Sequence, residues 1–141
     1  MAMSLIDDLC AVLGEERVHD HPLELLVYNK DAGVTPGPVA AAALPETTQE
    51  VAACVRAAKR HGVPVVARGT GTGLAGGAVP VDPALLIVLT RMNEIVEVDT
   101  VAGTAWVGAG VINLDLSRHT EQLGLHYAPD PSSQAACTIG G

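Results

Sequence analysis

The chain has 141 residues, of which 48% are hydrophobic and 17% charged, a composition typical of a globular domain and not of a disordered segment. The formal net charge of −8 and the absence of any basic run argue against binding to nucleic acid or to an anionic membrane surface. Aromatic residues make up only 2%, so small and β-branched side chains are expected to form most of the core.

The distribution of cysteines and apolar residues bears on the compartment. Cys10, Cys54 and Cys137 are far apart and form no CxxC motif, which favours a reducing environment and argues against a disulfide framework or zinc site. No apolar run approaches the roughly 20 residues that a membrane-spanning helix needs. The sequence therefore predicts a cytoplasmic protein without a transmembrane segment.

The first 38 residues are predicted to contain one helix followed by irregular chain. Residues 4–13 fit a short amphipathic helix, with Ser4 as N-cap and Gly14 after its end. Residues 15–38 are rich in turn-forming residues and are expected to be irregular. They include His19 and His21, which bracket an aspartate; without a third helically spaced ligand, a solvated loop is a better interpretation than a metal site.

The next segment predicts a strand–helix–strand unit. Residues 39–44 form an apolar strand, and Thr47 with Glu50 three residues later is typical of a capping box that opens a helix ending at Gly62. Cys54 lies on the apolar stripe of that helix, together with Val51, Val55 and Ala58, and is expected to be a small core residue. Residues 63–67 then form a second strand, predicted to be parallel to the first.

Beyond residue 80 the pattern changes to strands that can pair with their neighbours. Residues 85–89 are typical of a buried strand, and residues 95–98 and 104–107 alternate as an antiparallel hairpin does. A helix is predicted over residues 111–123. The whole pattern indicates an α+β fold, in which a parallel strand–helix–strand unit is followed by mixed or antiparallel strands with flanking helices.

A glycine-rich loop directly follows the second strand. Residues 69–77 contain five glycines, more than a tight turn requires. Glycine allows a ligand to approach the backbone closely, and successive backbone N–H groups can form an anion-binding concavity. Thr70 and Thr72 add hydroxyl groups, and Arg68 adds a cation that can pair with a phosphate or with a buried carboxylate. The loop therefore predicts a phosphate-binding site.

Two familiar phosphate-binding motifs do not fit this loop. Residues 71–76 satisfy GxGxxG, but the Rossmann fingerprint needs a helix immediately afterwards, and Pro80 and Pro83 argue against one. The motif also follows the second strand of its unit, whereas a Rossmann motif follows the first. A Walker A loop is excluded because no Gly-Lys-Ser/Thr occurs.

Residues 63–80 closely resemble the pyrophosphate loop of FAD-linked oxidases of the vanillyl-alcohol oxidase type, which have a PCMH-type FAD-binding fold. Residues 44–51, 91–99 and 127–141 resemble further segments of that family in the same order. The resemblance is greatest to the FAD-binding subunit of glycolate oxidase, with D-lactate and D-2-hydroxyglutarate dehydrogenases as relatives.

The resemblance implies a two-part, non-covalent FAD site, because the first loop lacks the histidine that tethers the flavin in some relatives. It implies no metal and assigns no catalytic residue to this chain; His126 and Tyr127 are expected to pack. The first cofactor-binding segment comprises Arg68, Gly69, Thr70, Gly71, Thr72, Gly73, Leu74, Gly76 and Gly77. The second comprises Pro129, Asp130, Pro131 and Ser132, near the ribityl chain and ring, and Thr138, Ile139, Gly140 and Gly141.

The resemblance further implies that residues 1–141 are the N-terminal portion of an FAD-binding domain, truncated before the substrate domain. The complete protein is then expected to oxidise a D-2-hydroxy acid such as glycolate or D-lactate, with other oxidase subunits or an electron acceptor as partners. This fragment alone is expected to be inactive. Two alternatives stay open: a truncated flavin-binding module without catalytic activity, and an NADPH-dependent flavin reductase that shares the fold.

Overall fold

The computed structural model describes residues 3–141 and confirms an α+β fold with two sheets. Single turns of 3₁₀-helix occur at Glu15–Arg17 and Leu89–Arg91. The other elements are α1 (Leu5–Leu13), β1 (Val18–His19), α2 (Pro22–Leu25), β2 (Val39–Ala43), α3 (Thr48–Arg60), β3 (Val65–Arg68), β4 (Ala84–Val88), β5 (Ile95–Asp99), β6 (Thr104–Val107) and α4 (Asn113–Glu121).

The larger sheet has the strand order β1-β2-β4-β3. Strands β2 and β3 both pair in parallel with β4, while β1 pairs antiparallel with β2 at one edge. The predicted parallel strand–helix–strand unit is thus confirmed, but its two strands are not neighbours. Leu86 of β4 lies between Ala42 and Val66, so the strand that follows the glycine loop occupies the centre of the sheet.

Both faces of this sheet are packed at its centre, as a parallel arrangement requires, whereas Val65 and Ala67 of the edge strand β3 are exposed. On one face α1 and α3 pack together, and the core there contains Leu9, Cys54 and Ala57 with no exposed surface. On the other face Leu86 packs with the half-buried Tyr28. Many core residues are alanines, which confirms the expectation of a core built from small side chains.

Cys54 is a core residue, as predicted. It is fully buried, and this burial raises the pKa of its thiol to about 11, so the reactive thiolate is scarce near neutral pH. Val55 was predicted to share that apolar stripe, but 42% of its surface is exposed. The inward face of α3 is therefore narrower than the sequence pattern indicated.

The two long N-terminal helices begin differently. Ser4 and Asp7 form a complete capping box, since the Ser4 hydroxyl accepts from the Asp7 N–H and the Asp7 carboxylate accepts from the Ser4 N–H. At α3 the Thr47 hydroxyl accepts from the Glu50 N–H as predicted. The Glu50 carboxylate, however, accepts from the N–H of Glu46 at 2.7 Å, so the predicted reciprocal bond to Thr47 is wrong.

A long-range ion pair explains this difference. Arg17 donates to both carboxylate oxygens of Glu50, at 2.8 and 2.9 Å. The hydrogen bonds from Arg17 hold the pKa of Glu50 below its ordinary value. The bidentate contact joins the start of α3 to the chain between α1 and β1.

Two predicted boundaries were wrong. Residues 15–38 were expected to be irregular, yet they contain β1 and α2. The helix predicted over residues 111–123 begins only at Asn113, because Ile112 is extended and forms an antiparallel bridge with Thr138. The antiparallel hairpin of β5 and β6 is confirmed.

Candidate functional site

The glycine loop connects β3 to β4, and no helix occurs between these strands in the part of the chain that the structure describes. This agrees with the exclusion of a Rossmann motif. Gly71 and Gly76 have φ values of 78° and 80°, in the left-handed region where a Cβ is unfavourable. At these two positions the backbone conformation itself requires glycine.

Arg68 ends β3 and lies beneath the loop, with only 4% of its surface exposed. Its guanidinium group donates to four backbone carbonyl oxygens: those of Tyr28 at 2.6 Å, Lys30 at 3.1 Å, Thr70 at 3.2 Å and Gly69 at 3.4 Å. Burial lowers the pKa of this group. From the sequence, Arg68 was expected to pair with a phosphate or with a buried carboxylate. In the structure it donates to backbone carbonyl oxygens instead.

Asp31 braces the loop from the side and was not identified as a site residue from the sequence. One carboxylate oxygen accepts from the Gly33 N–H at 2.8 Å, and the other accepts from the Gly76 N–H at 2.9 Å. The neighbouring N–H of Ala32 donates to the Gly73 carbonyl at 3.0 Å. The short bond to Gly33 is an Asx turn that the Asp-x-Gly spacing permits, but nothing local in the sequence indicates Gly76.

The second predicted segment touches the first. The Thr70 hydroxyl donates to the Ala136 carbonyl at 2.7 Å, and Gly69 is packed against Thr138 and Gly141 so closely that a Cβ would collide with them. Thr138 also bridges to Ile112, which ties the segment to the start of α4. The fold therefore brings together two motifs that are far apart in the sequence.

A cavity of about 380 Å³ lies between the two segments. Its walls include nine of the predicted residues together with Asp31, and no histidine. The nine are Gly69, Thr70, Gly71, Thr72, Gly73, Leu74, Gly77, Thr138 and Gly141. The other predicted residues are not among those that line it: Arg68, Gly76, Pro129, Asp130, Pro131, Ser132, Ile139 and Gly140.

The residues of the second predicted segment that do not line the cavity contact other parts of the chain. Residues 129–132 are exposed, and the Pro129 carbonyl accepts a hydrogen bond from the Asn113 side chain at 3.3 Å. Ile139 and Gly140 donate their N–H groups to the carbonyls of Val111 and Ala109, both at 2.9 Å. These residues hold the second segment against the start of α4.

The cavity suits an anionic ligand that binds through the backbone. Within residues 3–141, the N–H groups of residues 71–75 donate no hydrogen bond to the protein, and these residues are half-buried or exposed, so the groups are available to a ligand. The buried Thr138 hydroxyl likewise has no partner. A Cβ added at Gly73 or Gly77 would meet nothing within 4 Å. The loop thus leaves both donors and space for a pyrophosphate.

The two N-terminal histidines have ordinary packing partners. The ring of His19 stacks on Tyr28 with centroids 5.8 Å apart, and His21 accepts the Leu23 N–H at the start of α2. Within residues 3–141 no cluster of three or more histidine, cysteine or acidic side chains is arranged to hold a metal. Over the same residues, no helix combines the length and apolar character needed to cross a bilayer.

These features are those of a nucleotide-binding α+β domain, in which a glycine loop and a second loop border one cavity. The family model described as FAD binding domain matches residues 39–141, and the chain belongs to this family. Its cofactor is accordingly FAD.

Curated relatives and a solved structure agree with this assignment. The chain is 47% identical over 98 residues to the glycolate oxidase subunit GlcD of Escherichia coli strain K12, covering 70% of this chain and 20% of that protein. It is 42% identical over 139 residues to GlcD of Bacillus subtilis strain 168, covering 96% and 29%. A substrate-bound p-cresol methylhydroxylase structure superimposes with a TM-score of 0.76 at 25% identity, covering 86% and 24%.

The PCMH-type fold is thereby confirmed. The chain spans only about a fifth to under a third of the length of these relatives.

Proposed function

We propose that this chain binds FAD non-covalently in the cavity between the glycine loop and residues 137–141. The observation that carries the proposal is the set of N–H groups at residues 71–75, which donate no hydrogen bond within residues 3–141 and belong to residues that line the cavity. Asp31 is the one charged residue among those that line it. Backbone dipoles of this kind attract a pyrophosphate even though the chain carries a net charge of −8. The Thr138 hydroxyl supplies one further donor.

The proposed contacts differ in kind. Direct contact with the pyrophosphate is proposed for the residues that line the cavity, from Gly69 to Leu74, with Gly77, Thr138 and Gly141. Arg68 and Gly76 are proposed to act through the shape of the loop, because their polar groups already have protein partners. The ribityl and ring contacts of Pro129, Asp130, Pro131 and Ser132, and the main-chain contacts of Ile139 and Gly140, rest on the family resemblance.

For the whole protein we propose oxidation of a 2-hydroxy acid such as glycolate or D-lactate. Bound FAD supplies the hydride acceptor for such a reaction, while the protein positions the cofactor and the substrate. The support is sequence identity above 40% to two proteins named as glycolate oxidase subunits. Residues 1–141 are proposed to be the N-terminal portion of the FAD-binding domain, so groups outside this sequence recognise the substrate.

The partners and compartment are part of the same proposal. Because the relatives are named as subunits, other oxidase subunits are proposed as partners, together with an electron acceptor. The three cysteines are free, which supports the reducing environment of the cytoplasm.

The test is a titration of the 141-residue chain with FAD, followed by flavin fluorescence. We expect saturable binding and competition by ADP, which carries the same pyrophosphate. Absence of any FAD or ADP binding would overturn the proposed site. Addition of glycolate, D-lactate or NADPH to the FAD-loaded chain is expected to leave the flavin oxidised, because the substrate site is proposed to lie outside these residues. Bleaching by a hydroxy acid would show that the chain is catalytically complete, and bleaching by NADPH would instead favour a reductase.

A further inference from the structure

Asp31 is an unexpected residue beside an anion-binding cavity. Only 8% of its surface is exposed, and it lines the same cavity as the glycine loop. A carboxylate near a pyrophosphate repels it, and burying a charge is costly unless hydrogen bonds compensate. The Asp31 carboxylate must therefore make interactions that outweigh this repulsion and the cost of its burial.

The hydrogen bonds of Asp31 indicate what that function is. Its two oxygens accept from Gly33, which is two residues away, and from Gly76, which is 45 residues away on the glycine loop. Gly76 adopts a φ of 80°, a conformation that the bond to Asp31 helps to hold. Both oxygens are directed at N–H groups of the protein, so each is satisfied by the chain itself.

The adjacent residue strengthens the same connection. Ala32 donates its N–H to the Gly73 carbonyl at 3.0 Å, three residues before the contact with Gly76. Arg68 completes the arrangement from below, because its guanidinium group joins the carbonyls of Tyr28 and Lys30 to that of Thr70. The segment 28–33 therefore holds the loop on both sides of the unpaired N–H groups of residues 71–75.

We propose that Asp31 is a positioning residue that fixes the glycine loop in its ligand-receiving shape before the cofactor binds. This inference rests on the proposed function, and it adds a residue of the turn-rich N-terminal segment to the cofactor site. Asp31 acts through Gly76 and not on the ligand. A loop fixed in advance avoids the entropy cost of ordering its N–H groups when the pyrophosphate arrives.

The experiment compares Asp31→Asn with Asp82→Asn in the 141-residue chain. Asparagine keeps the size of Asp31 but cannot accept from two N–H groups with two oxygens. Asp82 is exposed and follows the same loop, so its substitution removes an equal charge without a brace. FAD and ADP dissociation constants are measured for each variant, with hydrogen exchange at Gly76 and at β4.

We expect Asp31→Asn to weaken FAD and ADP equally, by about tenfold, as loss of a charged hydrogen bond predicts. Exchange at Gly76 is expected to accelerate while the amides of residues 85–87 keep their protection. Asp82→Asn should leave both dissociation constants unchanged or slightly lower.

Three outcomes would overturn the proposal. The first is that Asp31→Asn and Asp82→Asn bind FAD and ADP with equal affinity. The second is that Asp31→Asn loses affinity for FAD but not for ADP. The third is that the β4 amides lose protection from hydrogen exchange together with Gly76, which would show that Asp31 supports the whole fold. The titration of the wild-type chain tests the proposed function separately. If neither FAD nor ADP binds the wild-type chain, the proposed function fails. Hydrogen exchange at Gly76 then still reports whether Asp31 holds the loop.

Discussion

The Thr70 hydroxyl donates a hydrogen bond of 2.7 Å to the carbonyl oxygen of Ala136, 66 residues further along the chain. A hydroxyl group has one proton to donate. Thr70 therefore uses it to join the glycine loop to the second segment, and does not donate it to a phosphate. Thr72 lines the cavity two residues later and has a hydroxyl of the same kind.

Because the two hydroxyl groups have different partners, two matched substitutions should affect different quantities. Thr70→Val should loosen residues 136–141, because it removes a bond between the segments, and hydrogen exchange in those residues should accelerate several-fold. Thr72→Val should leave exchange there unchanged and weaken FAD binding by about tenfold or more, the effect of one lost hydrogen bond to a charged group. Equal exchange in the two variants would contradict the assignment of Thr70.

Gly73→Val should abolish FAD binding without unfolding the domain. A Cβ at Gly73 meets nothing within 4 Å, so the new side chain extends into the cavity and occupies the space proposed for the pyrophosphate. Fluorescence titration measures the affinity, and urea unfolding measures the stability. Ala102→Val is the control, since it adds apolar atoms at an exposed position of the β5–β6 turn and should change neither quantity. Retained FAD affinity in Gly73→Val would move the phosphate site elsewhere.

Thr138→Val tests the unpartnered hydroxyl. No protein hydrogen bond is lost in this variant, so the free energy of unfolding without FAD should change by less than about 0.5 kcal/mol. FAD affinity should fall by about tenfold if this hydroxyl donates to the pyrophosphate. Thr120→Val makes the same chemical change where the hydroxyl already donates to the Ser117 carbonyl within α4. The Thr120 variant should bind FAD as the wild type does, and a similar loss in both variants would refute a specific role for Thr138.

Glu50→Gln should lower the free energy of unfolding near pH 7 by about 1–2 kcal/mol, because the half-buried pair with Arg17 loses its charge. The pKa of Glu50 is lowered in the folded state, so the pair adds stability above the unfolded pKa of about 4.3 and loses it as pH falls through the lower folded value. The difference between variant and wild type should therefore shrink below about pH 4.

Urea unfolding from pH 7 to pH 3.5 measures this dependence. Glu97→Gln, on the exposed side of β5, is the control and should show little difference at any pH. A deficit in Glu50→Gln that persists unchanged at the lowest pH would mean that the ion pair is not its cause.

Much of the local structure was determined by the sequence itself. Thr47 caps α3, Gly62 follows its end with a φ of 65°, and the alternating residues of β5 and β6 form a hairpin. These features depend on neighbours within a few residues, where side-chain spacing and backbone preference act directly. The absence of a helix after the glycine loop was predictable for the same reason, because Pro80 and Pro83 are incompatible with one.

Contacts between distant residues were decided by the tertiary structure. Glu50 has the spacing of a capping box, yet Arg17 takes its carboxylate, since a charged bidentate contact competes with a single bond to a backbone N–H. Similarly, β4 lies between β2 and β3 in the sheet although it follows both of them in the sequence. This order depends on hydrogen bonds between strands that are distant in the sequence.

The candidate site shows the same division. The glycines of residues 69–77 by themselves predicted a backbone site for an anion, because glycine allows a ligand to approach the backbone and its N–H groups closely. Only the folded chain decides that Thr70 joins the two segments, that Arg68 holds carbonyl oxygens, and that Asp31 reaches Gly76. Each of these bonds spans 40 or more residues or competes with a local alternative. Sequence spacing carries no information about such a choice, since it depends on where the sheet places the ends of its strands.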